Sequence, residues 1–442
     1  MFKKKHLFTG IALSVLTLTS AAQAETLRDA LVKAYLNNPT LNAERASLRA
    51  SDEDVSQALA NWRPNVTWTA TVNKAINENN ARTVGGERQS LSPTTSTLQI
   101  TQPLFRGFRT TAAVAEAEET VQAERYRLLE EEQRVLLTAV TAFSDIVRDA
   151  AVLELNRNNE QVLRRQFEAT TDRFEVGELT RTDVSQAEAR FARATADRIQ
   201  AEGDLEVSRA NYENIIGEEP VNLVPSALPS DIPSTIEDSI EHAKKNNPTF
   251  LAAFHDEQSA LENIKETSGQ LLPELNLVAS SENTYETATE GTRTKDNRVG
   301  LSLTVPLYQQ GTVYSQVREA KQTAAQLRLI MEQSRRDAVE DAKSGWETLV
   351  TARARIQSFL AQIRSAEVAL DGVQREAAVG SRTVLDVLDA EQELLDAKVN
   401  LVRAQSDELV AVFELKQALG DLTAEKLRLD TAVYDPTVHY DE

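Results

Sequence analysis

The sequence has no cysteine, only four histidines, and 5% aromatic residues among its 442 positions. Without cysteine there is no disulfide framework, no thiolate metal site and no cysteine nucleophile. One histidine, His6, falls in the leading segment, and the others, His242, His255 and His439, are too widely spaced for a metal-ligand motif. No Gly-x-Ser-x-Gly elbow and no phosphate-binding loop occurs, so neither an enzyme nor an energy-coupling motor is expected, and no cofactor is implied. Basic charge is also scarce: 48 Lys and Arg against 68 Asp and Glu give a net charge of -20. Nothing here would neutralise a run of phosphates, which excludes nucleic acid as a partner. Beyond residue 24 no apolar run approaches the ~18 residues of a membrane helix.

Residues 1–24 read as an export signal: Lys3, Lys4 and Lys5, an apolar run from Leu7 to Leu18, then Ala22-Gln23-Ala24 as a small-x-small cleavage site. An exported chain without a membrane helix is either free outside the cytoplasm or crosses an outer membrane as strands.

The remaining chain is built twice. Thr26 caps TLRDALVKAYL, which ends at Asn37-Asn38-Pro39-Thr40; Thr235 heads TIEDSIEHAKK, which ends at Asn246-Asn247-Pro248-Thr249. A second helix follows in each half and stops at Pro64 or Pro273. The boundaries expected are a first repeat over 25–217, a proline-punctuated linker over 218–234, a second repeat over 235–420 and a C-terminal segment over 421–442.

After each stop the apolar period changes to two. Val66, Trp68, Ala70 and Val72 alternate with Thr67, Thr69, Thr71 and Asn73, and Leu98 and Ile100 continue the pattern after a polar loop from Asn77 to Pro93. The second half gives Leu275, Leu277 and Ala279, a polar loop from Glu282 to Asn297, then Val299, Leu301, Leu303 and Val305. Hairpins are expected over about 65–102 and 274–305. Ten tilted residues span roughly 25 Å, the apolar height of an outer-membrane barrel. Four strands cannot close a barrel, so several chains must share one. Trp62, Trp68, Phe105, Phe108, Tyr285 and Tyr308 are placed near the strand ends, as an interfacial belt would be.

Pro103 and Pro306 mark the return to helix. From Gly107 to Gly177 there is neither proline nor glycine, which predicts a rod of about 100 Å over about 106–176. Its partner, about 309–379, contains Gly345 and Gly372 and is expected to be weakened there. Each rod turns at a glycine, Gly177 or Gly380, and returns as a shorter helix, about 182–216 or 384–419. A short and a shorter helix stacked end to end match one rod, which suggests a tube wall of alternating rods and stacks. In both halves the turn leads into Thr-x-x-Asp, Thr180 with Asp183 and Thr383 with Asp386, a pairing that suits an N-cap. Asp389, one turn further, is not placed to cap, and its first-half counterpart is Gln186.

NNPT in both halves, VGLSLTVPLYQQGTVYSQVREA from Val299, VGSRTVLDVLDAE from Val379, and the endings Ile216-Gly217 and Leu419-Gly420 carry a resemblance to the TolC family of outer-membrane channels. The likeness covers nearly the whole exported chain. It implies a mainly α fold with membrane β: a homotrimer forming one twelve-strand barrel in outer-membrane lipid, four strands per chain. The barrel continues as a long α-helical barrel with a mixed equatorial belt and a coiled-coil periplasmic tip. The strand count alone would also allow a dimer with eight strands. The function implied is a passive exit duct for efflux or type I protein secretion, docking a periplasmic adaptor (membrane fusion) protein and an inner-membrane RND or ABC transporter. The family places its constriction at the positions matching Asp386 and Asp389, which in a trimer form two carboxylate rings able to bind cations. It links the position of Arg382 to those of Thr182 and Asp183 as a latch. A tyrosine of the family's turn is replaced by Ala377, which removes one latch contact. The competing reading of the residues is an exported coiled-coil scaffold or adaptor without a pore.

Overall fold

The computed structural model describes residues 25–78, 88–229, 231–287 and 289–441. The expected export signal and the centre of the first outer loop lie outside the described residues. The first half runs α1 (Leu27–Asn37), α2 (Pro39–Ala60), β1 (Asn65–Val72), β2 (Ala75–Glu78), β3 (Arg88–Leu91), β4 (Thr94–Arg106), α3 (Arg109–Glu175) and α4 (Arg181–Ile216). The second runs α5 (Ile236–Asn246), α6 (Pro248–Gly269), β5 (Glu274–Tyr285), β6 (Arg293–Thr304), α7 (Thr312–Ala378) and α8 (Val384–Ala418), then a final turn α9 (Val438–Asp441).

Local chemistry sets the boundaries. Thr26 and Asp29 form a reciprocal capping box that starts α1. Asn38 and Asn247 head α2 and α6, each followed by a proline at the first helical position, where no amide hydrogen is needed. Each of these asparagines also donates through its side chain to the helix below: Asn38 to the Ile215 carbonyl at 3.1 Å and Asn247 to the Ala418 carbonyl at 3.2 Å. Those two bonds join α2 to the end of α4 and α6 to the end of α8. The stacked pairs expected from helix lengths are therefore real, and a single residue type makes the joint in both halves.

The rods α3 and α7 are each 67 residues long, about 100 Å. α7 runs unbroken through Gly345. A Cβ there would stand 3.3 Å from the Leu415 backbone, so the glycine lets α7 and α8 approach closely. Gly372 has open space around it, and the helix continues through it.

All four long strands form one antiparallel sheet, in the order β1-β4-β5-β6. Its register puts Val66 opposite Ile100, Trp68 opposite Leu98, Ala279 opposite Ile100 and Val299, and Leu277 opposite Leu301. One face is thus apolar across all four strands and bare: Trp68 is 70% and Val299 76% exposed. Val72 stands level with Thr94, Tyr285 and Arg293, whereas Leu303 stands level with Leu275. The apolar band therefore slides by about five residues from β1 to β6. Strands ~4.8 Å apart and tilted by ~40° would produce a slide of roughly four over three steps. The slant is what a level membrane requires of tilted strands.

Three expectations need correction. The second outer loop is shorter than Glu282–Asn297, because β5 runs to Tyr285 and β6 starts at Arg293. Within the first loop, β2 and β3 extend the hairpin as a separate two-stranded ribbon. Trp68 lies mid-strand rather than near an end, with its indole nitrogen donating to Ser96 at 3.0 Å.

The helices repeat the order of the sheet. α3 packs between α2/α4 on one side and α6/α8 on the other, and α7 packs against α6 and α8 with the short α5 beside them, and not against α2 or α4. Since α2 leads into β1, β4 into α3, α6 into β5 and β6 into α7, wall and sheet share one sequence of columns. The main apolar core lies at mid-height, where Tyr35, Leu41, Leu136, Phe143, Tyr212 and Leu422 are buried together. The C-terminal segment is pinned there by the buried Glu132 carboxylate, which accepts from the Ala424 amide at 2.6 Å. No helix among the described residues is long and apolar enough to cross a membrane.

Candidate functional site

At the end remote from the sheet, each rod stops in the same way. Gly177 and Gly380 adopt φ of 80° and 81°, the left-handed region that glycine enters without cost. Glu178 donates its amide back to Arg173 and Gly177 to Phe174; Ser381 does so to Glu376 and Gly380 to Ala377. Both turns are thus Schellman motifs. Ala377 takes part only through this carbonyl.

The next helix begins with a capping box in both hairpins. The Thr180 amide donates to Asp183 Oδ2 at 2.9 Å, and the Thr383 amide to Asp386 Oδ2 at 2.9 Å. The Thr180 hydroxyl and then its amide hold the Asp183 carboxyl below the usual carboxylate range. For Asp386 the Thr383 amide contributes most, then its hydroxyl, and Arg382 adds a smaller pull in the same direction. Both aspartates are therefore firmly ionised and occupied by their own helix starts. Asp386 keeps Oδ1 free of the cap, 4.0 Å from an Arg382 guanidinium nitrogen.

Arg382 spends its strongest contact inside its own turn, donating to Glu376 Oε2 at 2.9 Å. Thr182 and Asp183 lie on the other hairpin and are not among its partners within the chain. The first turn carries a staple of opposite polarity, in which Arg173 of α3 donates to Glu178 at 3.0 Å. Asp389 behaves differently from Asp386. Its Oδ1 accepts from Arg190 of α4 at 2.6 Å, a contact between the two hairpins. Beneath that pair, Ala187 and Ala194 of α4 meet Val384 and Leu388 of α8 and Leu163 of α3 in a small buried cluster.

The structure therefore brings Arg382, Asp386 and Glu376 together in one turn, and Asp389 together with Arg190. Arg190 and Glu376 were missed in the sequence. Glu376 could have been found, because an acid on the last turn facing a basic residue just past a Schellman glycine is a local pattern. Arg190 had no such signal, since its partner lies 199 residues away and the repeat pairs it with an acidic position, Glu393. The histidines serve the scaffold: His255 bonds Glu119 at 2.7 Å and His242 lies 3.0 Å from Asp421. Among the described residues no group of three His, Cys, Asp or Glu could hold a metal ion.

Proline stands near all four strand–helix junctions, but the return to helix expected at Pro103 comes later, because β4 continues to Arg106 and α3 starts at Arg109. Pro103 sits at a register shift between β4 and β5, a place where a missing amide hydrogen is tolerated. Pro306 follows the end of β6, while Pro64 and Pro273 each immediately precede a strand.

Comparison with known proteins agrees with this architecture. The chain is 35% identical to the outer membrane efflux protein BepC of Brucella suis biovar 1, over 99% of this chain and 94% of that one. It is 28% identical to the outer membrane protein TolC of Escherichia coli K12, over 98% of this chain and 90% of that one. The solved structure of the outer membrane protein VceC from Vibrio cholerae superposes with a TM-score of 0.76 at 20% identity, covering 89% of this chain and 96% of that chain. At that identity the superposition speaks for the fold alone. The outer membrane efflux protein family matches residues 30–218 and 239–421, and the chain belongs to that family of outer-membrane channel proteins.

Proposed function

We propose that three copies of the chain form a passive exit duct whose periplasmic mouth is narrowed by Asp386 and Asp389. The observation that carries it is the coincidence of edges. β1 and β6 each have one strand partner among the described residues, and α2/α4 and α7 are the matching free edges of the wall. Pairing β6 of one copy with β1 of the next closes barrel and tunnel in the same operation. Exposed apolar residues suit that seam: Leu329, Val350 and Val368 on α7, and Ile199 on α4. Three chains give the twelve strands implied by the resemblance. The same fold leaves a scaffold without a pore with no use for a bare apolar sheet.

In a closed ring, α8 brings Asp386 and Asp389 to the tip three times over. Carboxylates ~7 Å apart repel by roughly 0.6–2.4 kcal/mol per pair, so such a ring takes up cations. Arg382 is free to reach Thr182 and Asp183 of the adjoining hairpin by leaving Glu376, which makes it a latch that can exchange partners. Each such exposed contact contributes only about 0–1 kcal/mol, and it acts through threefold repetition. The power for export would come from an inner-membrane RND or ABC transporter joined through a periplasmic adaptor, with efflux substrates or a secreted protein as cargo.

Single-channel recording in a planar bilayer tests this. Wild type should carry a small current that divalent cations block from the periplasmic side, and the Asp386→Ala, Asp389→Ala double variant should conduct with the block lost. Arg382→Ser should raise the basal current. Folded protein that never conducts would sink the duct, and a block indifferent to the double substitution would remove the constriction from these residues.

A further inference from the structure

We infer that Arg190 is a positioning and charge-tuning residue of the constriction, clasping Asp389 to the first hairpin of the same chain. The inference rests on the duct reading and specifies how its mouth is held. Three observations carry it. Asp389 and Arg190 meet at 2.6 Å across α8 and α4, whereas the ion pairs of the two tip turns, Arg173 with Glu178 and Arg382 with Glu376, each lie within one hairpin. Asp386 is committed to its helix cap, so Asp389 is the acidic group of the mouth that a second hairpin can grip. The clasp sits over the cluster of Ala187, Ala194, Val384 and Leu388, where small side chains let α4 and α8 touch.

Two consequences follow from the chemistry. An arginine bonded to the Asp389 carboxylate offsets one negative charge at that level in every copy, so the ring is less acidic than its aspartates alone. Widening the mouth requires α8 to part from α4 and breaks the clasp, three times in a symmetric ring. A contact that biases closure by about twofold per copy biases a concerted ring by roughly eightfold. Arg190 also lies in reach of the channel mouth without belonging to the aspartate pair that holds the blocking cation, so its removal separates latch from ring.

The test uses bilayer recording on full-length protein with four forms: wild type, Arg190→Glu, Asp389→Arg, and the two combined. Arg190→Glu should raise the basal current several-fold and tighten divalent block, because the ring becomes more acidic as the latch is lost. Asp389→Arg should raise the current and weaken the block. The charge-swapped double variant should return the basal current toward wild type while its block stays weak. A double variant no closer to wild type than the sum of its parts would overturn the clasp. So would an Arg190→Glu form with unchanged current and block, provided Asp386→Ala, Asp389→Ala still alters the block. Absence of current in every folded form overturns the duct and the clasp together.

Discussion

The two halves of the chain are near copies in their joints and unlike in their surroundings. Asn38 and Asn247 make the same bond to the helix below, Thr180 and Thr383 the same capping box, Gly177 and Gly380 the same turn. Yet α3 stands inside the wall with helix stacks on both flanks, while α7 stands at its edge. Val121, Leu136, Val140 and Phe143 of α3 are buried within the chain, whereas Leu329 and Val368 of α7 are 72% and 74% exposed. A duplicated unit thus keeps its local rules and changes its burial according to its column. What differs between matched positions therefore reports the column, or the function, rather than the helix.

The sharpest contrast is between Gly217 and Gly420, which end α4 and α8 with φ of 88° and 78°. A Cβ on Gly217 would find only Asn37 at 3.9 Å. A Cβ on Gly420 would run into the Asn246 carbonyl, well inside van der Waals reach. Gly217→Ala should cost the ~1–2 kcal/mol of a left-handed alanine, and Gly420→Ala at least ~3 kcal/mol, with displacement of α5. Thermal unfolding of the detergent-purified protein, followed by circular dichroism, compares them; equal losses would show that the two joints are not differently packed.

The matched asparagines should behave alike. Asn38→Ala and Asn247→Ala each remove a helix cap worth about 1 kcal/mol and strand a carbonyl of the stack below, for a total of about 2–3 kcal/mol. Both carbonyls lie at mid-height, so the losses should be similar and additive in the double variant, since the sites are on separate columns. A loss confined to one of them in the same unfolding measurement would break the equivalence of the halves.

How much of this was legible depends on whether the signal was local. Caps, turn glycines and rods are written in a few adjacent residues, and the period-two runs are plain wherever one face meets lipid. The outer ends of β5 and β6 resemble loop in the sequence because Glu282–Tyr285 and Arg293–Asn297 carry polar residues on both faces, so alternation leaves no trace. Arg190 was invisible for a different reason: the rotation of α4 against α8 is set by packing of Ala187 and Ala194, not by any pattern along α4. Asp386 was legible as a cap partner from its Thr-x-x-Asp spacing and Asp389 as the acid without a first-half counterpart, but the clasp on Asp389 needed the helices in place.

Column also decides ionisation. Glu116 lies in the seam between α3 and α6, where burial, with Glu266 and Glu262 nearby, pushes its carboxyl up to about 7 against the pull of Asn263. Its equivalent on the edge rod, Glu319, is exposed. The folded state holds the Glu116 proton more tightly than the unfolded chain. Stability from this group is therefore full below about 4.5 and declines as pH rises to about 7. Glu116→Gln should unfold about 1–2 kcal/mol later than wild type at pH 8, with the gap closing toward pH 4. A gap that is constant across that range would point to packing instead of ionisation.

The smallest expected effect probes the tip. Gln186 occupies the position in the first half that Asp389 holds in the second, and it lies four residues before Arg190 on the same helix. Gln186→Asp would offer Arg190 a partner within α4, a pairing worth about 0.3–0.5 kcal/mol. Stability should hardly change, because one exposed ion pair replaces another. Asp389, however, must now share its arginine, and the mouth should loosen slightly: a basal current raised by less than in Arg190→Glu, with block tightened in the same direction. Combining Gln186→Asp with Arg190→Glu should add nothing to the current beyond Arg190→Glu alone, because the introduced acid acts only by drawing the arginine away. An additive effect would mean that position 186 faces the mouth itself, which would make the first hairpin a second acidic wall of the constriction rather than the anchor of the clasp.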